Sequence, residues 1–239
     1  METTEVTRTA VAEYYKDYDA RKGAARNDLL SNPEVLFQVL AADASRVSAL
    51  RFIRPDPSRT RVLDVGCGDG ASLMLFLRLG FDPGNLYGVD IRTEQIRLAQ
   101  AKLPSLHLEC GDASRLGFPD DTFDIVHESM MFLQLTDPDL SRRIAQEMVR
   151  VAKPGAYLVL SDWRYGKPGR SEFKALNKER IARLFDLNNQ TTFCRVFRGS
   201  LIPPIGRYLS KYLPWSYFLV RALMPAAAGQ VTTVLRKRC

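Results

Sequence analysis

Apolar positions along the chain follow two spacings. Short, nearly unbroken apolar runs recur at Val62 to Val65, Leu86 to Val89 and Tyr157 to Leu160. Between them, apolar residues fall three and four apart. Short runs of that kind predict buried strands, and the wider spacing predicts amphipathic helices. Strands are expected at 62–65, 86–90, 106–110, 123–126 and 157–160. Asn32-Pro33 has the form of a helix N-cap with proline at the first helical position. The helix it opens carries Val35, Leu36, Val39, Leu40, Val47 and Leu50 to about Ile53, and Pro55 and Pro57 end it. Leu73 to Leu79 forms a strongly apolar helix stopped by Gly80. Further helices are expected from Glu94 to Lys102, closed by Pro104, and from Asp139 to Val151. Strands alternating with helices mean a parallel sheet covered on both faces.

The two ends read differently. Thr9 to Leu30 suggests a polar helix carrying Tyr14, Tyr15 and Tyr18, followed by the basic residues Arg21, Lys22 and Arg26. At the other end, Phe173 to Phe185 is expected to be helical and Thr191 to Phe197 a strand. Leu201-Ile202-Pro203-Pro204 reads as an extended link. Ile205 to Met224 is expected as a helix in two pieces, broken at Pro214, with Gln230 to Leu235 as a last strand.

Composition narrows the class. The 239 residues are 46% hydrophobic and 26% charged, ordinary for a globular chain of one large or two small domains. Met1 to Ala10 has no apolar stretch of signal-peptide type. The longest apolar run, Leu213 to Ala228, is interrupted by Pro214, Arg221 and Pro225, which argues against a spanning helix. Four scattered cysteines without a C-x-x-C pair fit a reducing cytoplasm and neither a zinc site nor a disulfide frame. No His/Asp/Glu spacing suggests a metal. The net charge is +7, and from Leu187 onward there are eight Lys or Arg and no Asp or Glu. Such a basic end suits an anionic partner (a phosphorylated substrate, a membrane surface or nucleic acid) or forms a plain solvated face.

Candidate chemistry concentrates at Asp64-Val65-Gly66-Cys67-Gly68-Asp69-Gly70. Glycines at 66, 68 and 70 allow positive φ and a close ligand approach. The helix behind the turn aims its free N–H groups at whatever sits there. A dinucleotide site has G-x-G-x-x-G spacing, whereas the run here is G-x-G-x-G. Carboxylates at Asp64 and Asp69 would repel a pyrophosphate but suit a ligand bearing an ammonium and a sulfonium. This stretch resembles the first motif of the class I S-adenosylmethionine-dependent methyltransferases. Three further stretches carry the resemblance in order: Gly111-Asp112-Ala113, Phe118 to Val126, and Met148 to Gly155. Together they span about Thr60 to Trp163, with Ala156 standing where a second glycine is usual.

The resemblance implies one methyltransferase domain over 1–239. It would have a helical flank or lid at 1–60, a cofactor core at 61–163 and a substrate-side extension at 164–239. Its doubly wound, Rossmann-like sheet would have seven mostly parallel strands, the last running antiparallel. The cofactor would be S-adenosylmethionine, held by Asp64, Gly66, Cys67, Gly68, Gly70, Asp90, Ile91, Asp112, Ala113 and His127. Asp90 closes the second strand and can accept both ribose hydroxyls; an N-cap ahead of Thr93 is a role it can hold as well. Asp112 would bind the exocyclic amine of adenine or serve as a turn residue. Tyr15 and Arg21 would fold over the cofactor from the lid, or lie on a surface helix.

Ligands of open parallel sheets sit beyond the strands' carboxyl ends. His127 and Glu128 after the fourth strand and Asp162 after the fifth are therefore the candidate catalytic groups. His127 could take a hydroxyl proton, an effect worth about 10²–10⁴ in rate, or only shape the cofactor pocket. His127-Glu128-Ser129-Met130 lacks the Asn/Asp-Pro-Pro-aromatic run of enzymes that methylate nucleobase amines, so nucleic acid is disfavoured. The tail weakly resembles methyltransferases of bacterial polysaccharide and glycolipid clusters. That likeness implies a small-molecule or saccharide hydroxyl acceptor on a lipid-linked or nucleotide-activated carrier. The basic, partly apolar tail itself suits an anionic lipid-linked acceptor with peripheral membrane contact, and Trp215, Phe218 and Leu219 packed into the core is the other outcome. A non-catalytic S-adenosylmethionine-binding protein and a nicotinamide-dependent oxidoreductase remain as further alternatives.

Overall fold

The structure, a computed structural model, describes residues 28–166, 169 and 173–239. The helix expected from Thr9 therefore lies, through residue 27, outside the described residues. α1 (Pro33–Ile53) opens at Asn32 and ends at Arg54, whose left-handed backbone (φ 57°) precedes Pro55. The sheet is built from β1 (Val62–Val65), β2 (Leu86–Asp90), β3 (His107–Cys110), β4 (Phe123–Ser129), β5 (Ala152–Trp163), β6 (Thr191–Arg198) and β7 (Gln230–Lys237). Between these strands lie α2 (Ala71–Arg78), α3 (Thr93–Lys102), α4 (Pro138–Val151), α5 (Lys178–Leu184), α6 (Pro203–Tyr212) and α7 (Tyr217–Leu223).

The seven strands run in the order β3-β2-β1-β4-β5-β7-β6. The first five are parallel, and β7 inserts antiparallel between β5 and β6. Strand order reverses at β1, so a crevice opens where β1 and β4 end. Alternation along the strands feeds two cores. Leu63, Val126 and Leu158 face Met148 of α4 and Phe185. Val62, Ile125 and Val159 face Leu73 and Phe76 of α2 and Ala49 of α1. A third, smaller core seals α6 and α7 onto α1 through Ala41, Leu209 and Tyr217.

Several boundaries differ from expectation. β4 extends three residues past Val126, because Asp64↔His127 and Val65↔Glu128 continue its pairing with β1 while β5 pairs it on the other side. β5 likewise runs on through Asp162 to Trp163, held by β7. Pro203 and Pro204, expected as an extended link, form the first turn of α6, where a missing N–H costs nothing. Only Lys178–Leu184 of the stretch 173–185 is helical. Trp215 and Leu219, for which core packing was one outcome, are 75% and 52% exposed.

Candidate functional site

A cavity of about 290 Å³ opens at the carboxyl ends of β1 to β4. Its floor is the turn after β1. Gly66, Gly68 and Gly70 all have positive φ, at 74°, 55° and 84°. The N–H groups of Gly66 and Cys67 donate to Val89 O (2.8 and 3.0 Å), which pins the turn to β2. A methyl at Gly66 would stand 3.1 Å from the Met131 sulfur, so only glycine lets the two cavity walls come this close. Gly66, Cys67 and Gly68 line the cavity. Gly70 does not; a Cβ there would sit 2.6 Å from Leu103 Cδ1, so its role is to let the turn pack on α3. No side chain caps α2 at Gly70.

Asp90 is buried at the end of β2 and lines the cavity. Its carboxylate already accepts from Gly68 N (2.9 Å), Arg92 N (2.9 Å) and the Arg92 guanidinium (3.0 and 3.1 Å). Ribose hydroxyls reaching Asp90 would share it with that guanidinium or displace it. Ile91, Asp112 and Ala113 also line the cavity. Asp112 Oδ1 closes a turn by accepting from Ser114 N and Oγ, both at 2.8 Å.

The candidate catalytic residues are placed otherwise than expected. His127 and Glu128 lie within β4, and Asp162 lies within β5; all three are buried and none lines the cavity. Strand alternation sends His127 to the α2 side, where its Nδ1 meets Asp64 Oδ1 at 2.7 Å and Phe76 lies edge-on at 5.7 Å. Asp64 is buried with it and does not face the cavity either. His127 Nε2 and Asp64 Oδ2 have no hydrogen-bond partner among the described residues. This pair braces the glycine turn from beneath.

Glu128 and Asp162 face the opposite layer. Glu128 Oε2 accepts from Met131 N (3.1 Å), and Asp162 accepts from Leu133 N (2.8 Å) and Trp163 N (2.6 Å). Burial, then the neighbouring Asp162, pushes the Glu128 carboxyl well above its usual range. Burial pushes Asp162 up to about 7, opposed by its two backbone N–H donors and by Arg180. Arg180 reaches the same turn, donating to Phe132 O (2.9 Å) and Leu135 O (2.8 Å). These groups shape the 130–135 loop, whose Met130, Met131 and Gln134 form the cavity's far wall. Met130 holds φ at 64°, a conformation non-glycine residues keep only when their surroundings enforce it.

Arg46 escaped the sequence reading. It sits on the buried face of α1 and is only 9% exposed. Its Nη1 donates to Ser72 Oγ (2.8 Å) and Ser129 Oγ (3.4 Å), two residues that line the cavity, and its Nη2 pairs with Asp43 (2.5 Å). Its Nε has no partner among the described residues. The available signal was an arginine one position after Ser45 on a stripe otherwise occupied by Ala42, Ala49 and Leu50. Tyr15 and Arg21 lie outside the described residues. No group of three metal-ligating side chains occurs among the described residues.

Residues 62–155 match a family model described as a methyltransferase domain. Phthiotriol/phenolphthiotriol dimycocerosates methyltransferase 1 of Mycobacterium ulcerans is 32% identical over 65% of this chain and 64% of its own length. Ajmaline N-methyltransferase of Rauvolfia serpentina is 29% identical over 87% of this chain and 76% of its own. For several other curated relatives the chain spans about half their length. Among solved structures, a SAM-dependent methyltransferase from Methanosarcina mazei superposes with a TM-score of 0.56 at 20% identity, covering 79% of this chain and 97% of that one. At that identity the likeness concerns the fold.

Proposed function

Because the chain carries a class I S-adenosylmethionine-dependent methyltransferase domain, we propose that it moves a methyl group from that donor to a hydroxyl oxygen of a small, uncharged acceptor, saccharide or lipid-linked. The observation that carries this is the polarity of the cleft. A buried carboxylate, Asp90, stands beside the glycine turn, and a buried guanidinium, Arg46, stands behind Ser72 and Ser129. A nucleoside joined to an amino acid needs both: an acceptor for its hydroxyls and a cation for its carboxylate. When bound, the donor supplies an electrophilic methyl on a sulfonium.

The chain's own residues do the rest. Asp90 accepts the ribose hydroxyls, Ile91 and Ala113 flank the base with Asp112 at its edge, and Arg46, which does not itself line the cavity, reaches the carboxylate through Ser72 and Ser129. The Gly66–Gly68 turn lets the backbone approach closely. Met130, Met131, Gln134, Leu135, Leu140 and Ile144 form an acceptor-side wall without an ionisable side chain. Such a wall favours a neutral acceptor and excludes water. It leaves rate enhancement to alignment, which can supply roughly 7–11 kcal/mol, and the proton released as the hydroxyl oxygen takes the methyl passes to water at the open mouth of the cavity. The relatives' names, spanning a lipid and an alkaloid, support a small-molecule acceptor class.

The test is incubation of the purified chain with methyl-labelled donor and fractionated cell extract, followed by identification of the labelled product. Label on a hydroxyl of a neutral small molecule or glycolipid is expected. Label on RNA, or donor binding with no labelled product in any fraction, would overturn the proposal.

A further inference from the structure

The α6–α7 segment has an apolar outer surface that is left exposed among the described residues. Its inner face is anchored: Tyr217 is fully buried, its hydroxyl accepts from Leu201 N (3.2 Å), and Phe37 of α1 packs on its ring at 4.9 Å. The outer face carries Tyr208, Tyr212, Trp215, Leu219, Leu223 and Met224, each between 50% and 75% exposed. Soluble surfaces scatter such side chains singly, and a contiguous set marks a site of contact. Tryptophan, tyrosine and leucine side by side are the composition found where protein meets the headgroup region of a bilayer.

Charge identifies the partner. Arg207 and Lys211 belong to α6 and Arg221 to α7, Arg164 and Arg198 are bonded to the end of the segment, and the chain has no Asp or Glu from Leu187 onward. Arg164, Arg198 and Arg221 are tied to the carbonyls of Pro225, Ala222 and Gly199. Carbonyls orient those guanidinium groups without neutralising them. Among the described residues, Glu34 is the carboxylate paired with one of these cations, Arg207, at 2.9 Å. An apolar patch inside a ring of cations complements anionic lipid, whereas two copies of it would repel each other.

Position supports the same partner. α7 leads through 225–229 into Gln230, which pairs with Trp163 at the carboxyl end of β5. The patch therefore lies at the end of the sheet where the cavity opens. We propose that the outer face of α6–α7 docks the protein on an anionic membrane surface, with Trp215, Leu219 and Leu223 entering the headgroup layer and the arginines and Lys211 meeting lipid phosphates. This inference stands apart from the chemistry of the cleft.

The test is co-sedimentation of the full chain with vesicles of phosphatidylcholine alone or in equal parts with phosphatidylglycerol. Sedimentation with the mixed vesicles only, weakening as salt is raised, is expected. The combined variant Trp215→Ser, Leu219→Ser and Leu223→Ser changes exposed positions alone; it should lose vesicle affinity by about tenfold or more while binding S-adenosylhomocysteine as the unaltered chain does. Equal sedimentation of variant and unaltered chain would overturn the proposal. So would an unaltered chain that stays in the supernatant, including one that forms a dimer which the variant abolishes.

Discussion

Two side chains decide how the cleft works at the residue scale. Arg46 is a buried cation, paired with Asp43, whose Nη1 donates to two serines of the cavity lining and whose Nε has no partner among the described residues. A hydrogen bond to a charged group is worth about 1.5–3 kcal/mol, so Arg46→Met should weaken binding of the methyl donor roughly ten- to a hundredfold. Methylthioadenosine has the nucleoside but no amino-acid end, and its affinity should not change. Calorimetry with both ligands separates a lost carboxylate contact from a collapsed site, because collapse would weaken both. His127 makes the opposite case. It pairs with Asp64 inside the protein, and neither touches the cavity. Removing one partner of a buried pair strands the other, at a cost of about 3–5 kcal/mol. His127→Ala should therefore lower unfolding free energy by that order in denaturant titration, and turnover of the fraction still folded should remain. A stable variant with abolished turnover would return His127 to the chemistry.

Elements explain what the sequence could and could not reveal. The glycine turn and β2 ending on Asp90 were legible because short apolar runs and turn residues act locally. So was the N-cap and proline start of α1. The lengths of β4 and β5 were not legible, since they depend on partners distant in sequence. Asp64 and Val65 draw His127 and Glu128 into β4, and Val231 opposite Asp162 prolongs β5. A polar residue at a strand's apparent end looks like a site residue until the neighbouring strand is known. Pro203-Pro204 misled for a related reason: proline suits an extended segment and a first helical turn equally.

The same two strands carry a pH response. Glu128 and Asp162 are both displaced upward by burial, Asp162 to about 7 from an ordinary 3.8. The folded chain thus keeps protons that the unfolded chain releases as pH climbs past the ordinary carboxylate range. Stability should fall as pH rises from about 4 through 7, where Asp162 titrates, and the upward-displaced Glu128 carries the fall further. Asp162→Asn should flatten this fall. At acid pH it should cost about 1–3 kcal/mol, because one backbone N–H then faces an amide nitrogen. Thermal midpoints at several pH values would check both; an unaltered slope in the variant would assign the titration elsewhere.

For the whole molecule, the sheet order places the cavity across both principal cores. The β1 turn and β2 bear on the layer of Leu73 and Phe76, and the 130–135 loop rests on the layer of Met148 and Phe185. A ligand filling that cavity bridges elements from both layers, and binding only the folded state stabilises the chain by mass action. At a free concentration of about a hundred times Kd the gain is about 2.7 kcal/mol. For a chain of this size each kcal/mol raises the midpoint by about 2–4 °C, so a rise of about 5–10 °C is expected in a single transition. S-adenosylmethionine and S-adenosylhomocysteine should both produce it. Nicotinamide dinucleotides should not, because the turn lacks the G-x-G-x-x-G spacing that brings a pyrophosphate onto the backbone. A scan in which neither sulfur ligand moves the midpoint, while the dinucleotide does, would reverse the assignment of the cleft and leave the fold as described.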